Sequence, residues 1–108
     1  MDIFQISELL AERAADSHSY AEFFRANTLS IGLSVWPADS VDGQRPHAED
    51  EVYYVVAGRG QIQVAGESQA VCPGSVVFVA AGVSHHFHTI DETLHVVVFW
   101  APPHYSRE

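Results

Sequence analysis

The chain has 108 residues, 47 % hydrophobic and 11 % aromatic, enough for one domain (residues 1–108) with one core. Its formal net charge is -9, and all five basic residues are arginines. That balance argues against nucleic acid and against an anionic membrane surface, both of which need a basic face. A single cysteine, Cys72, excludes an intramolecular disulfide and reads as a small hydrophobe at a strand end rather than a reactive thiol.

In chain order, Ser7 is placed to cap a short helix running to about Ala15, with Leu9, Leu10 and Arg13 at recurring helical positions. From there the punctuation is that of an all-β domain. Strand-like runs are predicted at 19–25, 29–36, 51–56, 61–64, 69–71, 75–79, 85–90 and 94–100. Turn signals lie between them, at Pro37-Ala38-Asp39, Asp42-Gly43, Gly58-Arg59-Gly60, Ala65-Gly66, Pro73-Gly74, Ala81-Gly82 and Asp91-Glu92. Short strands at this spacing predict a sandwich or small barrel. Residues 102–108 read as a tail. No basic region followed by an apolar run opens the sequence, and no apolar stretch has membrane-spanning length, so a cytoplasmic protein is expected.

Strand parity constrains the faces. Glu51, Tyr53 and Val55 share one side of their run; Val52, Tyr54 and Val56 share the other. Both sides are mostly apolar, as in the run 94–100 apart from His95. An outer cover is therefore required, and a second copy of the chain is the simplest one, so a homodimer is expected.

The chemistry-bearing residues cluster. His47 and Glu51 are four apart, and in an extended segment 47, 49 and 51 share a face. A carboxylate on a core-facing position is costly unless it is paired or bound to metal; the alternative is that the strand starts one residue later and Glu51 is solvated. In His85-His86-Phe87-His88, parity sends inward either His85 with Phe87 or His86 with His88. Phe87 belongs in a core, which favours His85. Two imidazoles and a carboxylate suit a divalent ion with open coordination positions. Arg45 shares the parity of His47 and reads either as a rim partner of Glu49 or as an anchor for a substrate anion. Tyr53 is a candidate acid/base group or a packed tyrosine with a satisfied hydroxyl. His18 and His104, near the ends, carry no signal.

The run from Arg45 to Gly60 resembles the first motif of the cupin superfamily: His-x-His, three or four residues, Glu, six residues, Gly. His47, Glu51 and Gly58 match, and Arg45 stands where the first histidine belongs. The run from Gly74 to Thr89 resembles the second motif. Gly74, Gly82 and His85 match, with Ala80 and Thr89 at the proline and asparagine positions. The resemblance covers roughly residues 29–102. It implies a double-stranded β-helix (jelly-roll barrel), commonly a homodimer, with one divalent metal (Fe, Mn, Ni or Zn) on His47, Glu51 and His85. Gln44 or Glu49 is then a weak fourth ligand, Tyr53 and Glu49 are candidate proton carriers, and Arg45, Gln44 and Phe87 are candidate substrate contacts. Three functions remain open: a metal-dependent oxidoreductase (dioxygenase) or isomerase/lyase on a small acidic or hydroxylated metabolite, a non-catalytic small-molecule binding or sensing module, and a metal-free barrel.

Overall fold

The computed structural model describes residues 1–13 and 20–106. A helix, α1 (Ile6–Arg13), precedes six strands: β1 (Tyr20–Arg25), β2 (Ser30–Trp36), β3 (Asp50–Val64), β4 (Glu67–Val71), β5 (Val76–Val79) and β6 (His85–Ala101). No helix among these residues is long and apolar enough to cross a membrane.

Helix α1 starts before the expected cap. The Gln5 carbonyl accepts from Glu8 N and Leu9 N, both at 3.1 Å, so Ser7 lies inside the first turn. The expected end near Ala15, and His18, fall outside the described residues.

The sheet is antiparallel, ordered β1-β2-β6-β3-β4, with β5 paired to β3. Eight expected runs become six strands because two expected turns are not turns. Gly58-Arg59-Gly60 lies inside β3 and Asp91-Glu92 inside β6. These two long strands pair from Asp50↔Ala101 to Val64↔His85, with register shifts between Val55 and Gln61. The glycines mark a bulge, not a reversal. Gly58 has φ +96°, and a Cβ there would overlap the Thr93 carbonyl oxygen of β6. Glycine lets the two backbones pass closely while both strands bend. The turns at 38–39, 65–66, 73–74 and 81–82 form as expected, whereas Asp42-Gly43 lies in an irregular loop without a turn; Ala65 and Gly66, at φ 51° and 87°, make the tight β3–β4 hairpin.

Registry puts Glu51, Tyr53 and Val55 of β3 opposite Trp100, Val98 and Val96 of β6, and Ser34 opposite Val96 from the other side. Their side chains share one face, and all of them are buried. Val55, Leu94 and Val96 are fully shielded and centre the core with Phe87, Ile90 and Ile62. The alternation is sharp along β3: Val52 and Tyr54, between buried neighbours, are half-buried and exposed. On that outer face Val52 and Tyr54 lie opposite Phe78 and Val76 of β5, which are 60 % and 66 % exposed.

Candidate metal centre

Three segments meet at one end of the inner face. The loop 41–49 brings His47, the start of β3 brings Glu51, and the first residue of β6 is His85. Gly82 N donates to the His47 carbonyl at 2.7 Å, and Ala81 N to Asp50 Oδ1 at 2.8 Å. These bonds clamp the β5–β6 turn to the loop that carries His47, which fixes where β6 begins. One ligand atom from each of His47, Glu51 and His85 lies within 4.8 Å of the others.

His85 and Glu51 are both 2 % exposed. His85 Nδ1 donates to the Val83 carbonyl at 2.9 Å, so the lone pair of the neutral ring is on Nε2. Nε2 sits 2.7 Å from Glu51 Oε1, out of line for a hydrogen bond. Nε2 and both Glu51 oxygens are thus buried with no hydrogen-bond partner. Acceptors facing each other in a dry site repel unless a proton or a cation lies with them. Burial alone lowers the His85 pKa, but the Glu51 carboxylate and the Val83 carbonyl outweigh it and raise it above 6.5. At His47 burial prevails and pushes the pKa below 6.5, so this ring is neutral at neutral pH. The donor set is that of a borderline transition metal, and the orphaned atoms are the ones such an ion would take.

Polar residues behind the ligands are ordered. Buried Asp42 accepts from Phe87 N at 2.8 Å, Gln44 N at 2.9 Å and Gln44 Nε2 at 2.6 Å. This orients the Gln44 amide so that Oε1 accepts from His47 Nε2 at 3.0 Å and from the Tyr53 hydroxyl at 3.4 Å. Gln44 thereby positions both groups. Burial raises the Tyr53 pKa well above the ordinary phenol value, and the Glu51 charge adds to it, so the hydroxyl stays protonated.

A cavity of about 190 Å³ opens beside the ligands, lined by His47, Glu51, Gln44 and Tyr53 and by the aromatic rings of Tyr20, Trp36, Trp100, His104 and Tyr105. Burial pushes the Tyr20 pKa up to about 12, against the pull of the Trp100 indole N–H that donates to its hydroxyl at 3.0 Å.

Not every expected site residue gathers here. Residues 41–49 do not form a strand, so the parity linking 45, 47, 49 and 51 does not apply. Arg45 is exposed and does not line the cavity. Glu49 is buried, but its Oε1 meets His104 Nδ1 at 3.2 Å. Phe87 is 1 % exposed, packed on Tyr53 at 5.0 Å, and does not line this cavity. His86 and His88 lie on the opposite strand face, where His88 contacts Ser68 Oγ and Thr89 Oγ1. Cys72 is half-buried beside Ser75 in the β4–β5 turn. Sequence reasoning missed His104 and Tyr105, because a short segment after the last strand gives no periodic signal. The one available hint was Pro102-Pro103 before an aromatic pair, which stiffens the chain.

Comparison with known proteins agrees with this architecture. The family model for the cupin domain matches residues 33–102, more than half of the chain. Uncharacterized protein SCO3923 of Streptomyces coelicolor is 50 % identical over 103 residues, covering 95 % of this chain and 98 % of that protein. The solved structure of BH2720 from Bacillus halodurans superposes with TM-score 0.81 at 18 % identity, over 98 % of this chain and 84 % of that one. The DMSP lyase DddQ from Ruegeria pomeroyi superposes with TM-score 0.70 at 23 % identity, over 82 % of this chain but 49 % of that one. At those identities the structural likeness shows the fold alone. A cupin from Methanocaldococcus jannaschii with a double-stranded β-helix fold matches with TM-score 0.67 at 15 % identity, over 81 % of this chain and 84 % of that one. The sheet topology, the two motif histidines and the family match together place this chain in the cupin family, with a double-stranded β-helix fold.

Proposed function

We propose that the chain holds one divalent metal ion on His47, Glu51 and His85 and uses it on a small molecule bound in the adjoining cavity. The observation that carries this is the set of three buried ligand atoms, His85 Nε2 and both Glu51 oxygens, that have no hydrogen-bond partner although His85 Nε2 lies 2.7 Å from Glu51 Oε1. An ion bound there supplies Lewis acidity and open coordination positions. The chain's own residues supply the rest. Gln44 orients His47 and the Tyr53 hydroxyl, and Tyr53 offers a neutral O–H donor beside the ligand. Glu49 acts through His104, which it holds by Nδ1. The aromatic walls exclude water from all but the open mouth. These features suit a lyase, isomerase or oxygenase equally, and the likeness to a DMSP lyase carries the fold without the substrate. Calorimetric titration of chelator-treated protein with Zn²⁺, Mn²⁺, Ni²⁺ and Fe²⁺ tests the reading. One ion per chain is expected for at least one metal, with no uptake by Glu51→Gln; uptake unaffected by that change refutes it.

We also propose that two copies associate through the outer face of β3, β5 and β6. Val76, Phe78, Tyr54 and Phe99 leave a connected apolar surface there with no charged side chain among them. A patch of this kind is unusual on a monomer, and among the described residues β5 pairs with β3 alone.

A further inference from the structure

The loop 41–49 carries a chain of polar contacts that decides which nitrogen His47 offers an ion. Asp42 is 7 % exposed and takes three N–H groups. Gln44 N donates to Oδ1 at 2.9 Å; Phe87 N, at 2.8 Å, and Gln44 Nε2, at 2.6 Å, donate to Oδ2. Each carboxylate oxygen already accepts from a backbone N–H, so the end of the Gln44 amide turned toward it is the NH₂ group. The amide oxygen therefore faces the other way, to His47 Nε2 at 3.0 Å and the Tyr53 hydroxyl at 3.4 Å. An amide oxygen only accepts. Nε2 of His47 then carries the hydrogen, and the lone pair of the neutral ring is on Nδ1.

His85 is held the opposite way. Its Nδ1 donates to the Val83 carbonyl at 2.9 Å, which leaves the lone pair on Nε2. A ligating histidine commonly donates its second N–H to a carboxylate or a carbonyl, and that bond fixes the tautomer, turns the ring and raises its basicity. The Val83 carbonyl does this for His85. At His47 the Gln44 amide oxygen does it, with the Asp42 carboxylate behind the amide. The same carboxylate grips Phe87 N, two residues beyond His85, so one buried group ties the loop of one ligand to the strand of another.

We propose that Gln44, its amide turned by Asp42, is a positioning residue that keeps the hydrogen on His47 Nε2, so that His47 ligates through Nδ1 and His85 through Nε2. The proposal rests on reading His47, Glu51 and His85 as the ligands of one divalent ion. It takes the Gln44 oxygen out of the ligand set, in which the resemblance placed it as a weak fourth donor, and has it act through His47 instead.

Nuclear magnetic resonance of the full chain tests it, with isotope-labelled imidazole nitrogens and a spin-active cadmium ion as the probe, because only a coordinated nitrogen couples directly to the metal nucleus. Coupling is expected at Nδ1 of His47 and at Nε2 of His85, with a slowly exchanging proton on His47 Nε2. Gln44→Met removes the acceptor while keeping the bulk of the side chain. That variant is expected to lose the slow proton to exchange and to bind cadmium roughly 10- to 100-fold more weakly, the usual cost of losing a partner behind a ligand. The couplings in the unaltered chain stand even if the variant does not fold. Coupling of His47 through Nε2 overturns the proposal and leaves the metal reading intact. A Gln44→Met chain that keeps both the slow proton and the affinity overturns the role given to the amide. Cadmium coupled to neither His47 nor His85 overturns the metal reading, and this assignment with it.

Discussion

At His85 the ring is held by the Val83 carbonyl on one side and confronted by Glu51 on the other. Replacing His85 with alanine removes a ligand and is expected to weaken zinc binding by more than about 100-fold, beyond what loss of an outer partner costs. His88→Ala is expected to leave binding unchanged, because His88 points to the outer face. Equilibrium dialysis of the two variants reads both outcomes; loss of zinc in the His88 variant alone would mean the strand is phased wrongly. Acid should release the ion, since a protonated imidazole cannot ligate. The two histidines differ in where this happens. His47 is held below 6.5, so just above that pH His85 is the ligand that titrates, and zinc affinity should fall about tenfold per pH unit below its raised pKa. Without metal the signs are opposite. The raised pKa of His85 gives stability that is present below 6.5 and lost as pH rises through the folded value. The lowered pKa of His47 gives stability present above 6.5 and lost as pH falls through its folded value. The rise in Tm on adding zinc should therefore grow from pH 6.5 to pH 8, and a shift that shrinks over this range would contradict the assignment of His85. Glu51 and His85 were legible from the parity of their own strands, and His47 from the motif spacing to Glu51, though not from parity, which does not hold in 41–49. The pairing of Glu49 with His104 was not: it spans 55 residues and depends on where the chain after β6 returns.

The elements show the same division. Strand identity was legible from alternation, and β3 bears it out, with Glu51, Tyr53 and Val55 buried while Tyr54 is exposed. The continuity of β3 and β6 was not, because Gly58-Arg59-Gly60 and Asp91-Glu92 have the composition of turns. The deciding fact is the approach of the other strand: Gly58 is glycine because Thr93 leaves no room for a Cβ. Gly58→Ala imposes both a positive φ and this overlap, and should cost roughly 2–4 kcal/mol in chemical denaturation. A loss under about 0.5 kcal/mol, the range of an ordinary surface change, would show that the bulge is not needed. The same long-range dependence explains Arg45. Strand parity does not reach into 41–49, where the backbone is shaped by the Asp42 and Gly82 hydrogen bonds and not by a ladder.

For the whole molecule, the exposed apolar side chains Tyr54, Val76, Phe78 and Phe99 on a chain with net charge -9 are the basis of the proposed association. If a second copy shields them, Phe78→Glu, which sets a like charge on each side of the two-fold contact, should convert dimer to monomer in sedimentation velocity at micromolar concentration. Unaltered protein sedimenting as a monomer would exclude that assembly. His47, Glu51 and His85, the proposed ligands, lie on the inner side of the sheet, so the monomeric variant should still take up zinc. The most direct measurement of the central claim is anomalous diffraction from a crystal soaked in a zinc salt. One strong peak is expected inside the barrel, about 2.0–2.2 Å from a nitrogen of His47, a nitrogen of His85 and an oxygen of Glu51. A zinc-saturated crystal with no peak at these three residues, or with its ion at His86 and His88, would contradict it.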